Sequence, residues 1–414
     1  GTMAMILLTA RTLFPKNPPP AWEVLFLINV TLLFAAGGII ATPDTPLIFF
    51  WSWAIFLGSK IIKGGAPGWW YLLGLALGLG LLSKYTMIIF VLSMALFLAA
   101  SPGQRFWFLR KEPYLALMIA IILFSPVIIW NWRHDWVSFG YQFRQGLSPG
   151  GVNPLWKLLE YLGGQAAVVT PLLFFSFLYY SLKAFRTITR EDFTPYLYLI
   201  LFSWPMLLVF GASSMLGKVA EANWPGPAYI AGFLLIWAFY HQYLRKIRAE
   251  RYFISCALGL ALLVSSLVHL HILSPFLPLA PKIDPIHQFY GWSGLGKEID
   301  RGVAEKPHPA GLFLMADRGT TLAEALFYSR GKYLGFDPDI PERYLFLSDP
   351  DGLRGRDAVV LLHNASEPRL AHYGKYFQTL EKTGSYTPSF RGEKMDHLGV
   401  SVFLGRGWKT GVDR

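Results

Sequence analysis

Four short stretches carry the polar residues best suited to chemistry in an otherwise apolar chain. "ATPDTP" places Asp44 between Pro43 and Pro46, and "LLSKYTMII" places Lys84 and Tyr85 between two apolar runs. "WNWRHDWVSFGYQFRQG" carries Asn131, Arg133, His134, Asp135 and Arg144, and "GKVAEANWPGPAY" carries Lys218, Glu221 and Asn223. A carboxylate can accept a proton, and cations can hold a departing anion. Charged groups inside apolar sequence are costly in lipid and commonly mark a functional path, so this set suits a lipid-linked anion. Each residue also has a plainer reading. Asp44 fits a solvated turn. Lys84 can snorkel to the interface. Arg133 and Asp135 can pair at the surface, His134 can be an interfacial hydrogen-bonding residue, and Lys218 and Glu221 have the i, i+3 spacing of a local pair.

The elements that must position these residues are read from composition. Of 414 residues, 53% are hydrophobic and only 15% are charged, well below the roughly 25% charged of a soluble domain. Uncharged stretches run over 24–43, 64–83, 85–104, 113–132, 161–182, 193–217, 222–244 and 252–281. Each reaches the roughly 18–20 residues a spanning helix needs. A shorter segment, 45–59, is flanked by Lys60 and Lys63, which can snorkel. About nine spans are expected, plus a partial one at 3–10. No signal peptide is evident at the start. The +11 net charge does not point to nucleic acid, because residues 1–281 hold 19 Lys/Arg against 9 Asp/Glu while 282–414 hold 18 against 17. The excess belongs to the membrane part. The single cysteine, Cys256, allows no internal disulfide.

Alternate connections differ in charge. The set 11–20, 59–68, 101–113, 183–195 and 244–252 carries 14 Lys/Arg, and the set 41–45, 83–86, 131–160 and 213–223 carries 5. The positive-inside rule places the first set in the cytoplasm. Asp44, Lys84, Asp135 and Lys218 then share the outer face with everything after about residue 273. Beyond that point short strand-like runs appear, "GLFLMADR", "RYLFLSD", "DAVVLLHN" and "GVSVFLGRG", separated in part by helical stretches. The expected organisation is a polytopic α-helical membrane domain at 1–275, a Pro- and aromatic-rich linker at 276–291 and a small extracytoplasmic α/β domain at 292–414. No metal spacing stands out, and a divalent cation stays an open option. "GLALGLGLL" (74–82) is a helix-packing surface rather than a phosphate loop.

"TPDTPLIFFWSWAIFL", "WYLLGLALGLGLLSKYTMIIF", "FSPVIIWNWRHDWVSFGYQ" and "GKVAEANWPGPAY", in this order, resemble bacterial GT-C glycosyltransferases over roughly residues 1–275. The nearest groups are the protein-mannosyltransferase-like proteins and the aminoarabinose lipid A transferases. The resemblance implies an inner-membrane enzyme with an outward-facing site. It would take a sugar from a polyprenyl-phosphate carrier and pass it, usually with inversion, to an envelope glycolipid or protein. By the same match Asp44 lies near the sugar, positioning it or assisting proton transfer. Lys84 matches a basic residue suited to the donor phosphate, with Tyr85, Arg144 and Lys218 as further candidates. Asn131, His134, Asp135, Glu221 and Asn223 fall near the site. The family's first helix and acidic outer loop have no counterpart in the sequence. From this follows the expectation that the 414 residues alone bind donor but transfer poorly. Two other readings stay open: a transporter or flippase for lipid-linked sugars, and a non-catalytic relative.

The charge asymmetry yields a direct test. Alkaline phosphatase fused near residue 160 or after 285 should be active in a bacterial host, and fused near 107 or 248 it should be inactive. The reverse pattern would move Asp44 and Lys84 to the cytoplasm.

Overall fold

The structure is a computed structural model. It describes all residues except 41, 148–152, 188–192, 281, 282, 285, 288, 289, 305–310, 331, 340–350, 364 and 410–414. The chain divides into two compact units, Gly1–Ser274 and Pro275–Arg414.

The first unit is helical. Its elements are α1 (Thr2–Leu13), α2 (Ala21–Asn29), α3 (Leu32–Gly37), α4 (Asp44–Ile62), α5 (Trp69–Ser83), α6 (Ile88–Ala100), α7 (Glu112–Arg133), α8 (Val137–Leu147), α9 (Pro154–Val169), α10 (Pro171–Thr187), α11 (Phe193–Leu201), α12 (Trp204–Leu216), α13 (Gly226–Phe239) and α14 (Arg248–Leu273). Every residue of α13 is buried, as expected of a helix apolar on all sides. Helices α2, α4, α10 and α11 pack around it.

Among the described residues, Asp44–Ile62, Glu112–Arg133, Phe193–Leu216 and Arg248–Leu273 are long and apolar enough to cross a membrane, and two bent helix pairs raise the count to six. Nine spans were expected from uncharged length alone. Backbone that cannot continue a helix accounts for part of the difference, and the 15 residues of α5 and 14 of α13 for more of it. The stretch 24–43 breaks at Thr31, which is extended and whose hydroxyl donates to the Ile28 carbonyl at 2.9 Å. That local bond competes with the helical ladder. The stretch 161–182 bends by 107° between α9 and α10. There Thr170 has a φ of 72°, and Pro171 has no N–H to continue the ladder.

The glycine-rich stretch of α5 is a packing surface. A Cβ on Gly74 would stand 2.4 Å from the Ala116 carbonyl oxygen of α7, and one on Gly78 would stand 2.7 Å from Leu123. Only glycine lets the two backbones approach this closely.

The second unit is a mixed α/β fold. It contains α15 (Ser293–Ala304), β1 (Leu312–Ala316), α16 (Gly319–Tyr328), β2 (Leu334–Gly335), β3 (Asp357–Leu362), α17 (Glu367–Gly374), β4 (Thr379–Tyr386), β5 (Ser389–Phe390), β6 (Glu393–Lys394) and β7 (Val400–Arg406). The main sheet has the order β2-β1-β3-β7-β4. β1 runs parallel to β2 and β3, whereas β7 runs antiparallel to β3 and β4. The period-2 geometry sends Leu314, Ala316, Val359 and Leu361 to one core with Leu295 and Leu322. Phe313, Met315, Val360 and Leu362 go to a second core with Tyr373 and Trp408. The stretch expected as a linker packs onto this unit. Arg391 donates to the carbonyls of Pro275 and Leu277, and Ile286 buries against Phe390 and Met395.

At the carboxyl ends of β1 and β3, Asp317 joins the two loops. Its Oδ1 meets His363 Nδ1 at 2.8 Å, and its Oδ2 accepts the His363 backbone N–H at 3.1 Å and an Arg369 guanidinium N–H. Burial pushes the Asp317 carboxyl up, but the bonds and charges of His363 and Arg369 outweigh it and leave the group below its ordinary 3.8. Folded Asp317 therefore holds a proton less readily than unfolded Asp317, so protonation favours unfolding. Its contribution should be present above about pH 4 and lost as pH falls below that. Asp317→Asn should speed amide exchange in β1 and β3 by roughly 10- to 150-fold at pH 7, the worth of charge-assisted bonds. The variant should also change less than wild type between pH 7 and about pH 3. Exchange mass spectrometry on the full chain checks both.

Candidate functional site

The site begins with a helix that stops. α5 ends at Ser83, and Lys84 is extended (φ −160°, ψ 135°), its N–H still bonded to the Gly80 carbonyl at 2.9 Å. A short turn at Tyr85–Met87 then leads into α6. Gly80 permits this turn, since a Cβ there would lie 2.8 Å from the Met87 side chain. The break frees Lys84 to reach across to another helix.

What it reaches is Asp44, the first residue of α4. Proline on either side explains the position. Pro43 caps the helix and Pro46 sits in its first turn, where a missing N–H costs nothing. A carboxylate in the first turn is also favoured by the helix dipole. Lys84 Nζ donates to Asp44 Oδ1 at 2.6 Å. Asn223 Nδ2 donates to Asp44 Oδ2 at 3.0 Å. A carboxylate accepts only, so this bond fixes which end of the Asn223 amide faces Asp44. The Lys84 ammonium also lies 5.7 Å from the centre of the Trp224 ring. The Lys84 and Asp44 side chains are 22% and 20% exposed, so the pair is neither buried nor free in water. Asp44 and Asn223 line a cavity of ≈380 Å³ whose apolar wall includes Leu32, Leu33, Phe34 and Ile48.

Asn223 is held in place from α9. Lys157, Tyr161 and Gln165 recur every four residues, which puts them on one face of the helix. Buried Lys157 donates to the Gly217 carbonyl at 2.6 Å. Tyr161 donates to the Leu207 carbonyl at 3.0 Å. Gln165, fully buried, donates to the Ala222 carbonyl at 3.1 Å and accepts from the Tyr229 hydroxyl at 3.0 Å. Ser214 accepts the Ala220 N–H at 3.0 Å. Three backbone polar groups of the segment 217–223 are therefore tied to buried side chains. Sequence reading passed over Lys157 and Gln165 as site components, although their spacing within an apolar helix was a readable signal.

The remaining expected residues fall elsewhere. The Tyr85 hydroxyl pairs with Ser138 at 3.0 Å, and its ring packs against Phe124 and Phe139. Asn131 is fully buried. It donates to the Val127 carbonyl at 3.0 Å and accepts the Phe139 N–H at 3.3 Å, so it joins α7 to α8. His134 stacks on Trp130 and bonds the Trp130 carbonyl at 2.7 Å. Asp135 lies in the turn between those helices with a φ of 52°. Lys218 and Glu221 are an exposed pair 3.9 Å apart, the local pairing their spacing allowed. The Arg144 side chain lies outside the described residues. Among the described residues, no group of three His, Cys, Asp or Glu side chains is placed to hold a metal ion. The structure thus unites Asp44, Lys84 and Asn223 and adds Trp224. Chemically, it offers a carboxylate with both oxygens occupied and a cation at a helix break.

Residues 1–130 match the family model described as dolichyl-phosphate-mannose-protein mannosyltransferase. The lipid A galacturonosyltransferase RgtD of Rhizobium johnstonii is 25% identical over 311 residues, covering 71% of this chain and 59% of that protein. The chain thus spans under two thirds of that relative's length. The crystal structure of ArnT from Cupriavidus metallidurans, bound to undecaprenyl phosphate, shares the fold. Its TM-score is 0.53 at 12% identity, over 97% of this chain and 81% of that one. A family model over the first helices, a relative matching most of the chain and a common fold agree with the resemblance to GT-C glycosyltransferases seen in the sequence.

Proposed function

We propose that this protein transfers a sugar from a polyprenyl-phosphate carrier to an envelope glycolipid, with inversion at the anomeric carbon, on the extracytoplasmic face of the bacterial inner membrane. The observation that carries the reading is the Lys84–Asp44–Asn223 group at the broken end of α5. The crystallised fold relative holds undecaprenyl phosphate, which supports the donor class. The galacturonosyl-transferring relative acts on lipid A, which supports a glycolipid acceptor over a protein.

The chemistry follows from the residue types. An acceptor hydroxyl oxygen attacks the anomeric carbon as the bond from that carbon to the phosphate oxygen breaks. The phosphate leaves with the bonding electrons, and a cation beside it stabilises the charge as it develops. Lys84 takes this role in the proposal. The hydroxyl proton passes to a carboxylate, and Asp44 is the carboxylate on hand. Asn223 is a positioning residue that sets the Asp44 plane.

Three experiments test the assignment. Lys84→Ala should weaken undecaprenyl phosphate binding by roughly 10- to 150-fold, the worth of a charge-assisted contact, at unchanged expression. Equal binding would leave Lys84 a snorkelling residue. Asp44→Asn should insert normally, because asparagine also suits a turn, yet lose roughly 10²–10⁴ of any turnover. Wild-type turnover would remove Asp44 from the chemistry. The third experiment concerns α9. Gln165→Leu releases the Ala222 carbonyl and, through it, the Asn223 side chain. Turnover should fall about 10-fold or more while donor affinity holds, since misplacement by an ångström costs about that or more. A parallel loss of donor affinity would assign Gln165 to folding alone.

A further inference from the structure

Both carboxylate oxygens of Asp44 already accept a strong donor, Oδ1 from Lys84 at 2.6 Å and Oδ2 from Asn223 at 3.0 Å. A carboxylate in that condition is a poor base. The lysine in turn has its charge satisfied by Asp44 and faces the Trp224 ring. In this arrangement neither group is ready for the role given above, and the inference that follows rests on that reading. We propose that donor phosphate and Asp44 compete for Lys84, so that donor binding itself releases the base.

The exchange needs no new group. A phosphate oxygen displaces Asp44 Oδ1 from the ammonium. Oδ1 is then exposed as a proton acceptor while Oδ2 stays bonded to Asn223, so the carboxylate keeps its orientation. Loss of the sugar raises the negative charge on the phosphate, which tightens its hold on Lys84 during the reaction. Departure of the carrier phosphate returns Lys84 to Asp44 and closes the base again. The pair is 22% and 20% exposed, a middle range in which an ion pair is strong enough to bias the resting state and weak enough to be displaced. Consequently an acceptor hydroxyl meets an active base only when donor is present, and the resting enzyme is guarded against acting on the wrong order of substrates.

Contact between Asp44 and Lys84 can be read chemically in the wild-type protein. A water-soluble carbodiimide joins a carboxylate and an amine in direct contact by an amide bond, with the carbodiimide leaving as its urea. Without ligand, proteolysis and mass spectrometry should find the Asp44 and Lys84 fragments joined. Saturating undecaprenyl phosphate should suppress that product, and undecaprenol, which has the chain without the phosphate, should not. An undiminished crosslink at saturation would overturn the exchange. Binding supplies the second arm. Asp44→Asn should tighten undecaprenyl phosphate binding by about 5- to 30-fold, because the competing state is removed. The same change made together with Lys84→Ala should have no effect. Tightening that persists without Lys84 would mean simple removal of a negative charge and would also overturn the exchange. If Lys84→Ala binds like wild type, the donor-phosphate reading itself fails. If Lys84→Ala weakens binding but the crosslink persists, only the exchange fails.

Discussion

An apolar helix has its backbone bonds satisfied internally and offers nothing polar to a substrate, so a membrane site has to be made where helices break. The arrangement around Asp44 depends on that constraint. Pro43 and Pro46 start α4 with a carboxylate in its first turn. The extended residue Lys84 ends α5, and the non-helical segment 217–225 before α13 supplies Asn223. Three breaks in three different parts of the chain converge on one carboxylate. Each break frees backbone groups that have to be bonded, and the ties from Lys157, Gln165 and Ser214 to Gly217, Ala222 and Ala220 do this for the third. The buried polar face of α9 and the half-buried polar group at Asp44 are two sides of one solution.

The residue types at the site were legible in the sequence, but their pairing was not. Asp44, Lys84 and Asn223 stood out as polar groups in apolar surroundings. That Lys84 contacts Asp44 across 40 residues, and Asn223 contacts it across 179, is a property of packing that no local pattern encodes. For Lys218 and Glu221 the local pairing was readable, since i, i+3 spacing is itself a contact. For Asn131 and His134 the structure adds a structural partner that no local pattern showed. Both looked like site residues because they lie at the end of an apolar span. One is spent on joining α7 to α8 and the other on its own helix end. A polar residue at a helix terminus has a backbone to satisfy before it has a substrate to bind.

The fold shows the same division. The glycine stripe of α5 was recognisable as a packing surface because small residues matter only where backbones approach, and Gly74 against Ala116 is such an approach. The α/β character of the C-terminal unit was visible from strand-like runs such as "DAVVLLHN", and every residue of the matching strand is buried, with the two cores on opposite faces. Uncharged length counts more spans than there are long helices among the described residues, in part because charge is a poor detector of helix breaks. Thr31 and Thr170 carry no charge, and each ends a helix through its backbone conformation.

Burial ranks the cations that the sequence could only collect. Lys218 is 68% exposed, and its partner Glu221 is 62% exposed. A charge so placed is screened within about 8–10 Å at ordinary ionic strength, and its pairing contributes little. It can draw an anion toward the face but cannot hold one charge at one atom as a bond breaks. Lys84 at 22% exposure is partly out of water, where each ångström of approach is worth more. The same partial burial favours keeping an anion beside Lys84. Asp44 is that anion when the site is at rest. On the proposed reading, the preference of Lys84 for an anion beside it links the resting pair, the donor site and the availability of the base.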